Sequence, residues 1–219
     1  MRENREILGH IDHTLLKAAA DWKEIRKLCE EAILYETASV CIPPCYVERV
    51  HKCYGDRLNI CTVIGFPLGY NTREAKVFEA KDAVSKGAGE VDMVINIADL
   101  KNGDTGKVTE EIRAVKEAVG DVVLKVIIET CYLSEQEKIA MCRAVTHAGA
   151  DYIKTSTGFG TKGAAIEDIR LFKKYIGENV KIKAAGGIRT REDLEAFLSE
   201  GCSRIGTSSA VKLLTEPTD

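Results

Sequence analysis

Lys154, Lys183 and Asp92 carry the chemistry that this sequence can most readily perform. Lys154 stands in the run Asp151-Tyr152-Ile153-Lys154-Thr155-Ser156-Thr157-Gly158-Phe159. Lys183 lies in Val180-Lys181-Ile182-Lys183-Ala184 and Asp92 in Glu90-Val91-Asp92-Met93-Val94. A lysine amine attacks a carbonyl only when unprotonated, and a free lysine titrates near 10.4, roughly three units above neutral pH. Burial and a nearby ammonium both lower that value. Bringing it to 7 requires about 4 kcal/mol of differential interaction. Lys154 is then suited to form a Schiff base, with Lys183 as the second cation that tunes it. Asp92 is suited to move protons, directly or through a water. Lysines near strand ends also commonly reach solvent or pair with an acid, so the chemistry depends on whether the three side chains converge.

Convergence has to come from the elements that carry them. Short β-branched runs alternate with helical patterns, and strands are expected near 10–13, 38–42, 60–64, 90–95, 122–128, 151–155, 180–184 and 203–207. The run Val122-Val123-Leu124-Lys125-Val126-Ile127-Ile128 is nearly continuous in apolar residues, as in a sheet covered on both faces. Ser134 with Glu137, and Thr190 with Asp193, read as helix-starting caps. Gly87, Gly149 and Gly201 stand where helices should stop. This alternation within 219 residues predicts an α/β fold, a (β/α)8 TIM barrel forming one domain over 1–219. An open doubly wound sheet is the other topology that it allows.

An internal echo gives the orientation. Counting from Gly87, Gly149 and Gly201, the fourth residue is Val91, Ile153 or Ile205, and the fifth is Asp92, Lys154 or Gly206. Successive strand residues face opposite sides. The apolar fourth position should therefore face the helices and the fifth the barrel axis, at one height. In the next strand Val180, Ile182 and Ala184 share a face, which leaves Lys183 on the other, near the catalytic C-terminal end.

Loops after the last two strands suggest an anion site. Gly186-Gly187 follows one, and Gly206-Thr207-Ser208-Ser209 ends the other and opens a final short helix. Barrels commonly bind phosphate there, through backbone N–H groups and a helix N-terminus. A Gly-Gly pair alone also serves as an ordinary turn.

Composition excludes other classes. The net charge of -3 provides no basic field for nucleic acid or anionic lipid. No apolar run reaches the length of a membrane span. The charged start Met1-Arg2-Glu3-Asn4-Arg5-Glu6 does not read as a secretory signal. None of the 8 cysteines makes a C-x-x-C pair, so reduced, mostly structural thiols in a cytoplasmic protein are expected.

Taken with these residues, Lys154-Thr155-Ser156-Thr157-Gly158-Phe159 resembles the Schiff-base motif of the deoxyribose-phosphate aldolases. The resemblance extends through Ile11-Asp12-His13-Thr14, Ser39-Val40-Cys41-Ile42-Pro43, Gly65-Phe66-Pro67-Leu68-Gly69, Lys183-Ala184-Ala185-Gly186-Gly187-Ile188-Arg189 and Arg204-Ile205-Gly206-Thr207-Ser208-Ser209. It implies a TIM barrel and a class I aldolase acting on 2-deoxy-D-ribose 5-phosphate, with acetaldehyde and D-glyceraldehyde 3-phosphate as products. It implies Lys154 as the imine-forming residue, and Lys183 and Asp92 as proton donors or acceptors. Thr157, Gly158, Gly186, Gly187, Gly206, Ser208 and Ser209 would bind substrate. Asp12 and Cys41 match positions lining the family's pocket, although filling the barrel explains them equally well. No metal or other cofactor is implied, and a homo-oligomer of two or four copies is expected. Some family members end in a tyrosine that assists proton transfer. This chain ends Leu213-Leu214-Thr215-Glu216-Pro217-Thr218-Asp219, which leaves that role unassigned. The alternative is another phosphate-binding TIM-barrel enzyme, either a different Schiff-base sugar-phosphate aldolase or an epimerase, which would call for paired acids and a metal instead of two lysines; a non-catalytic binding protein would be expected to lack at least one of Lys154, Lys183 and Asp92.

Overall fold

In this computed structural model, residues 2–215 are described. The ending 216–219, on which the comparison with the terminal tyrosine partly rests, lies outside them. The apolar runs form β1 (Ile11–Thr14), β2 (Ser39–Ile42), β3 (Ile60–Ile64), β4 (Glu90–Val94), β5 (Val123–Ile127), β6 (Tyr152–Lys154), β7 (Lys181–Ala185) and β8 (Arg204–Thr207). Each strand pairs in parallel with the next, and β8 closes on β1, giving the TIM barrel and not the open sheet.

A short α1 (Asn4–Leu8) precedes the barrel. The helices that follow are α2 (Trp22–Leu34), α3 (Val47–Tyr54), α4 (Arg73–Ser85), α5 (Ile97–Lys101), α6 (Thr105–Val119), α7 (Glu135–His147), α8 (Ile166–Tyr175), α9 (Arg191–Glu200) and α10 (Ala210–Thr215). Capping boxes begin α7 at Ser134 and Glu137 and α9 at Thr190 and Asp193. Gly87, Gly149 and Gly201 end α4, α7 and α9 at φ of 104°, 74° and 110°, a region that glycine enters without steric cost. Just beyond each, an N–H returns to a carbonyl in the last helical turn: Ala88 to Ala83, Ala150 to Val145 and Cys202 to Phe197. Each of these turns hands the chain to a strand in the same way, which accounts for the sequence echo.

Strand parity separates two environments. Val40, Ile60, Val91, Leu124, Ile153, Ile182 and Ile205 face outward and join the helices in the main apolar cluster. The inward positions are largely polar. A small apolar group of Cys41, Cys61 and Val63 packs there with Leu16 and Phe66. Through Lys125, the backbone register pairs Asp92 with Tyr152 and not with Lys154. The stagger of a tilted barrel lifts Asp92 relative to β6, so that it meets Lys154. Among the described residues, no helix is long and apolar enough to cross a membrane.

Candidate active site

Lys154 closes β6, and its backbone carbonyl accepts from Ile128 N–H at 3.1 Å. The next residue, Thr155, donates to the carbonyl of Lys183 at 3.1 Å. The root of the side chain is therefore tied to both neighbouring strands. Its Nζ lies 2.7 Å from Oδ2 of Asp92. Lys183, the register partner of Lys154, lies 2.7 Å from the same oxygen and also donates to Asp12. The three predicted chemical residues thus converge, and all are buried.

Beneath them is an ionic layer. Lys125 donates to Oδ1 of Asp92 at 2.9 Å, pairs with Glu90, and lies 3.3 Å from the Cys61 thiol. Arg204 reaches Asp12 at 2.5 Å and Glu90 at 3.0 Å. Ser39 donates to Asp12 at 2.7 Å. Burial alone would raise the pKa of Asp92, but Lys125, Lys154 and Lys183 outweigh it and hold the carboxyl well below its ordinary range. Burial would likewise raise Asp12, and Lys183, Lys125 and Arg204 hold it low. Burial works against the ammonium of Lys183, yet Asp12 and Asp92 raise its pKa above the usual lysine value. Lys183 is therefore a fixed cation at neutral pH.

Above this layer opens a cavity of about 240 Å³. Lys154, Thr157, Gly158, Gly186, Gly187, Gly206, Ser208 and Ser209 all contribute to its wall. Gly186 and Gly187 have φ of 85° and 76°, and Gly163 packs closely against the Gly186 backbone, so a side chain on Gly163 would overlap it. Asp12, Asp92, Lys183 and Cys41 lie below the cavity, inside the barrel, and are fully buried. Cys41 belongs to the small interior apolar group, and Asp12 to the ionic layer. Two sets of side chains, Cys41-Cys61-Asp92 and Asp12-Cys61-Glu90, are close enough to share a metal ion. Their carboxylates are already engaged by lysine or arginine, so a metal would have to displace those cations.

Lys125, Glu90, Arg204 and Glu129 were not among the expected site residues. For Lys125 a signal existed. Counting from Gly120, which ends α6, puts apolar Leu124 fourth and Lys125 fifth, a further copy of the echo. For Glu129 there was none. Its backbone is left-handed, with φ 52°, and its buried carboxylate accepts from Thr157 N–H at 3.2 Å and from the Thr157 hydroxyl.

A parallel barrel with buried lysines sharing an aspartate at its C-terminal mouth is the setting for carbonyl chemistry. A sequence model described as DeoC/LacD family aldolase matches residues 7–213. The deoxyribose-phosphate aldolase of Clostridium botulinum (strain Alaska E43 / Type E3) is 67% identical over 211 residues, covering 96% of each chain. That of Clostridioides difficile (strain 630) is 57% identical over 210 residues, with the same coverage of both chains, 96%. Among solved structures, the tetrameric deoxyribose phosphate aldolase from Aeropyrum pernix superposes with a TM-score of 0.90 at 32% identity, covering 97% of this chain and 91% of that one. The chain belongs to the DeoC/LacD aldolase family, and it is an aldolase, a carbon–carbon lyase.

Proposed function

We propose that this aldolase reversibly cleaves 2-deoxy-D-ribose 5-phosphate to acetaldehyde and D-glyceraldehyde 3-phosphate through an imine at Lys154. The observation that carries this reading is the position of Lys154 and Lys183, each 2.7 Å from one oxygen of Asp92 beneath the glycine-walled cavity. Two ammonium groups compete for that oxygen. Lys183 is also held by Asp12, whereas Asp92 is the carboxylate paired with Lys154. Lys154, which shares its carboxylate with Lys183, is the nucleophile in this reading. Its free amine adds to the aldehyde carbon of the open-chain sugar, and loss of water leaves a protonated imine. That group accepts the electron pair when the C2–C3 bond breaks. The C3 hydroxyl gives up its proton to Asp92 through a water, and glyceraldehyde 3-phosphate leaves. Protonation of the enamine at C2 and hydrolysis of the imine release acetaldehyde.

The phosphate is read at Gly158, Gly186, Gly187, Gly206, Ser208 and Ser209, where glycine lets the backbone approach an anion closely. Thr157 shapes that wall, and Asp12 and Cys41 form the floor of the pocket. Support for two or four copies comes from the Aeropyrum pernix enzyme, described as tetrameric, and from exposed Leu68, Tyr70 and Phe78. The free buried thiols Cys29, Cys41, Cys61, Cys142 and Cys202 suit a reducing cytoplasm.

The test is to incubate the protein with acetaldehyde and borohydride and to map the adduct by mass spectrometry. Reduction should fix one two-carbon group on Lys154. An adduct elsewhere, or none, rejects the assignment.

A further inference from the structure

The structure places a strained acidic residue directly behind the anion wall. Glu129 follows β5 in a left-handed conformation, φ 52° and ψ 67°. For a residue with a side chain, that region is strained and persists where the surroundings enforce it. The surroundings are specific. Both carboxylate oxygens of Glu129 accept from Thr157 N–H, at 3.2 and 3.3 Å, and one also accepts from the Thr157 hydroxyl. Thr157 Oγ1 in turn accepts from Phe159 N–H at 3.0 Å. Gly160 passes so close that a Cβ there would meet the carboxyl carbon of Glu129 at 3.1 Å and the Cys131 sulfur at 2.8 Å. Thr130 N–H joins the Thr155 carbonyl at 2.9 Å, which ties the two chain segments together.

The placement is otherwise unfavourable. A carboxylate that is only 2% exposed, behind a wall that takes an anion, opposes the ligand's charge. What it supplies is geometry. It takes the N–H of Thr157 out of the cavity and fixes the turn whose next residues, Gly158 and Phe159, line it. We propose that Glu129 is a positioning residue that sets the Thr157-to-Gly160 turn for phosphate, governing affinity for the phosphorylated substrate and not bond cleavage. This rests on the phosphate reading of the cavity given above.

The experiment compares the parent with Glu129→Gln, Glu129→Ala and Thr157→Val. Binding of inorganic phosphate is measured by thermal shift, and turnover with 2-deoxyribose 5-phosphate and with unphosphorylated 2-deoxyribose. Glu129→Ala should raise KM for the phosphorylated sugar about tenfold with kcat within about threefold, and should weaken phosphate binding in parallel. Its kcat/KM on 2-deoxyribose should stay within about twofold. Glu129→Gln keeps one acceptor and should recover part of the loss. Adding Thr157→Val to Glu129→Ala should cost little more than either change alone. Equal losses on the two sugars, or unchanged phosphate binding in Glu129→Ala, overturn the proposal while leaving the aldolase reading intact. Should Glu129→Ala not fold, Glu129→Gln decides by the same split. A parent protein that turns over the sugar but binds no phosphate removes the cavity's phosphate role and the role of Glu129 with it.

Discussion

Lys125 donates to Oδ1 of Asp92 at 2.9 Å, leaving Oδ2 to the two lysines beside the cavity. The aspartate is thus held from below by a side chain that reaches no substrate. Replacing Lys125 by Met leaves Asp12, Glu90 and Asp92 with one cation fewer. Removing one partner of a buried pair typically costs 3–5 kcal/mol, so a loss of about that size is expected in urea unfolding. The pKa of Asp92 should also rise, because burial is then less opposed. The acid limb of the kcat profile should move to higher pH. A limb that stays in place counts against this role.

Lys183→Leu tests the crowding at Asp92. With a single ammonium left at Oδ2, the competition for that oxygen is lost, and borohydride trapping with acetaldehyde at pH 7 should slow at least about tenfold. Parent-like trapping would show that Lys183 does not tune the nucleophile.

Lys76 on α4 and Glu111 on α6 form a buried pair at 2.7 Å. Lys76 also donates to the Val94 carbonyl at 2.8 Å, and Glu111 accepts from Asn96 N–H at 3.0 Å. Together they bracket the end of the strand that carries Asp92. Glu111→Ala strands a buried ammonium and should cost about 3–5 kcal/mol. The double variant Lys76→Met, Glu111→Leu should cost less than the sum of the single changes, measured by urea midpoints. Strict additivity would mean that the two side chains act independently.

His13 on β1 lies 2.8 Å from Glu31, a geometry that suits an imidazolium–carboxylate pair. Burial is the larger influence and lowers the pKa of His13 below 6.5 despite Glu31. As pH falls below 6.5, the unfolded chain takes up a proton that the folded chain refuses. The stability contributed by neutral His13 is therefore present above that value and is lost on acidification. Asp12 and Asp92, with lowered pKa values, lose their contributions only as pH falls below 3.8. His13→Gln should flatten the stability profile just below pH 6.5 and leave the steeper acid limb. A profile that keeps its slope there would assign the effect to another group.

Much of the barrel was legible because local rules and the global fold agree. The β-branched runs, the Ser134 and Thr190 caps and the helix-ending glycines mark strands and helices within a residue or two. Parity then puts Asp92, Lys154 and Lys183 inside. The ionic floor was harder to see, since a lysine or arginine in a strand ordinarily reads as a solvent-facing residue. Arg204 shares the inward parity of Gly206, but its partners Asp12 and Glu90 come from strands distant in sequence. The grip of Glu129 on Thr157 was not legible at all. It depends on a left-handed backbone that nothing in the sequence before Thr130-Cys131-Tyr132 announces. The short α1 has no side-chain cap and likewise gives no starting signal.

Lys154 is the last residue of its strand, and Thr157, Gly158 and Phe159, which help to wall the cavity, come directly after it. The reactive nitrogen is rooted in the sheet, and the groups that would hold the rest of the substrate hang from loops. Residues 158–162 can therefore be exchanged without disturbing the nucleophile's anchor, which ends at Thr155. The same barrel can acquire a taste for differently decorated aldehydes by rewriting that one loop, which makes it the natural place to randomise in a directed search for new carbon–carbon bond-forming catalysts.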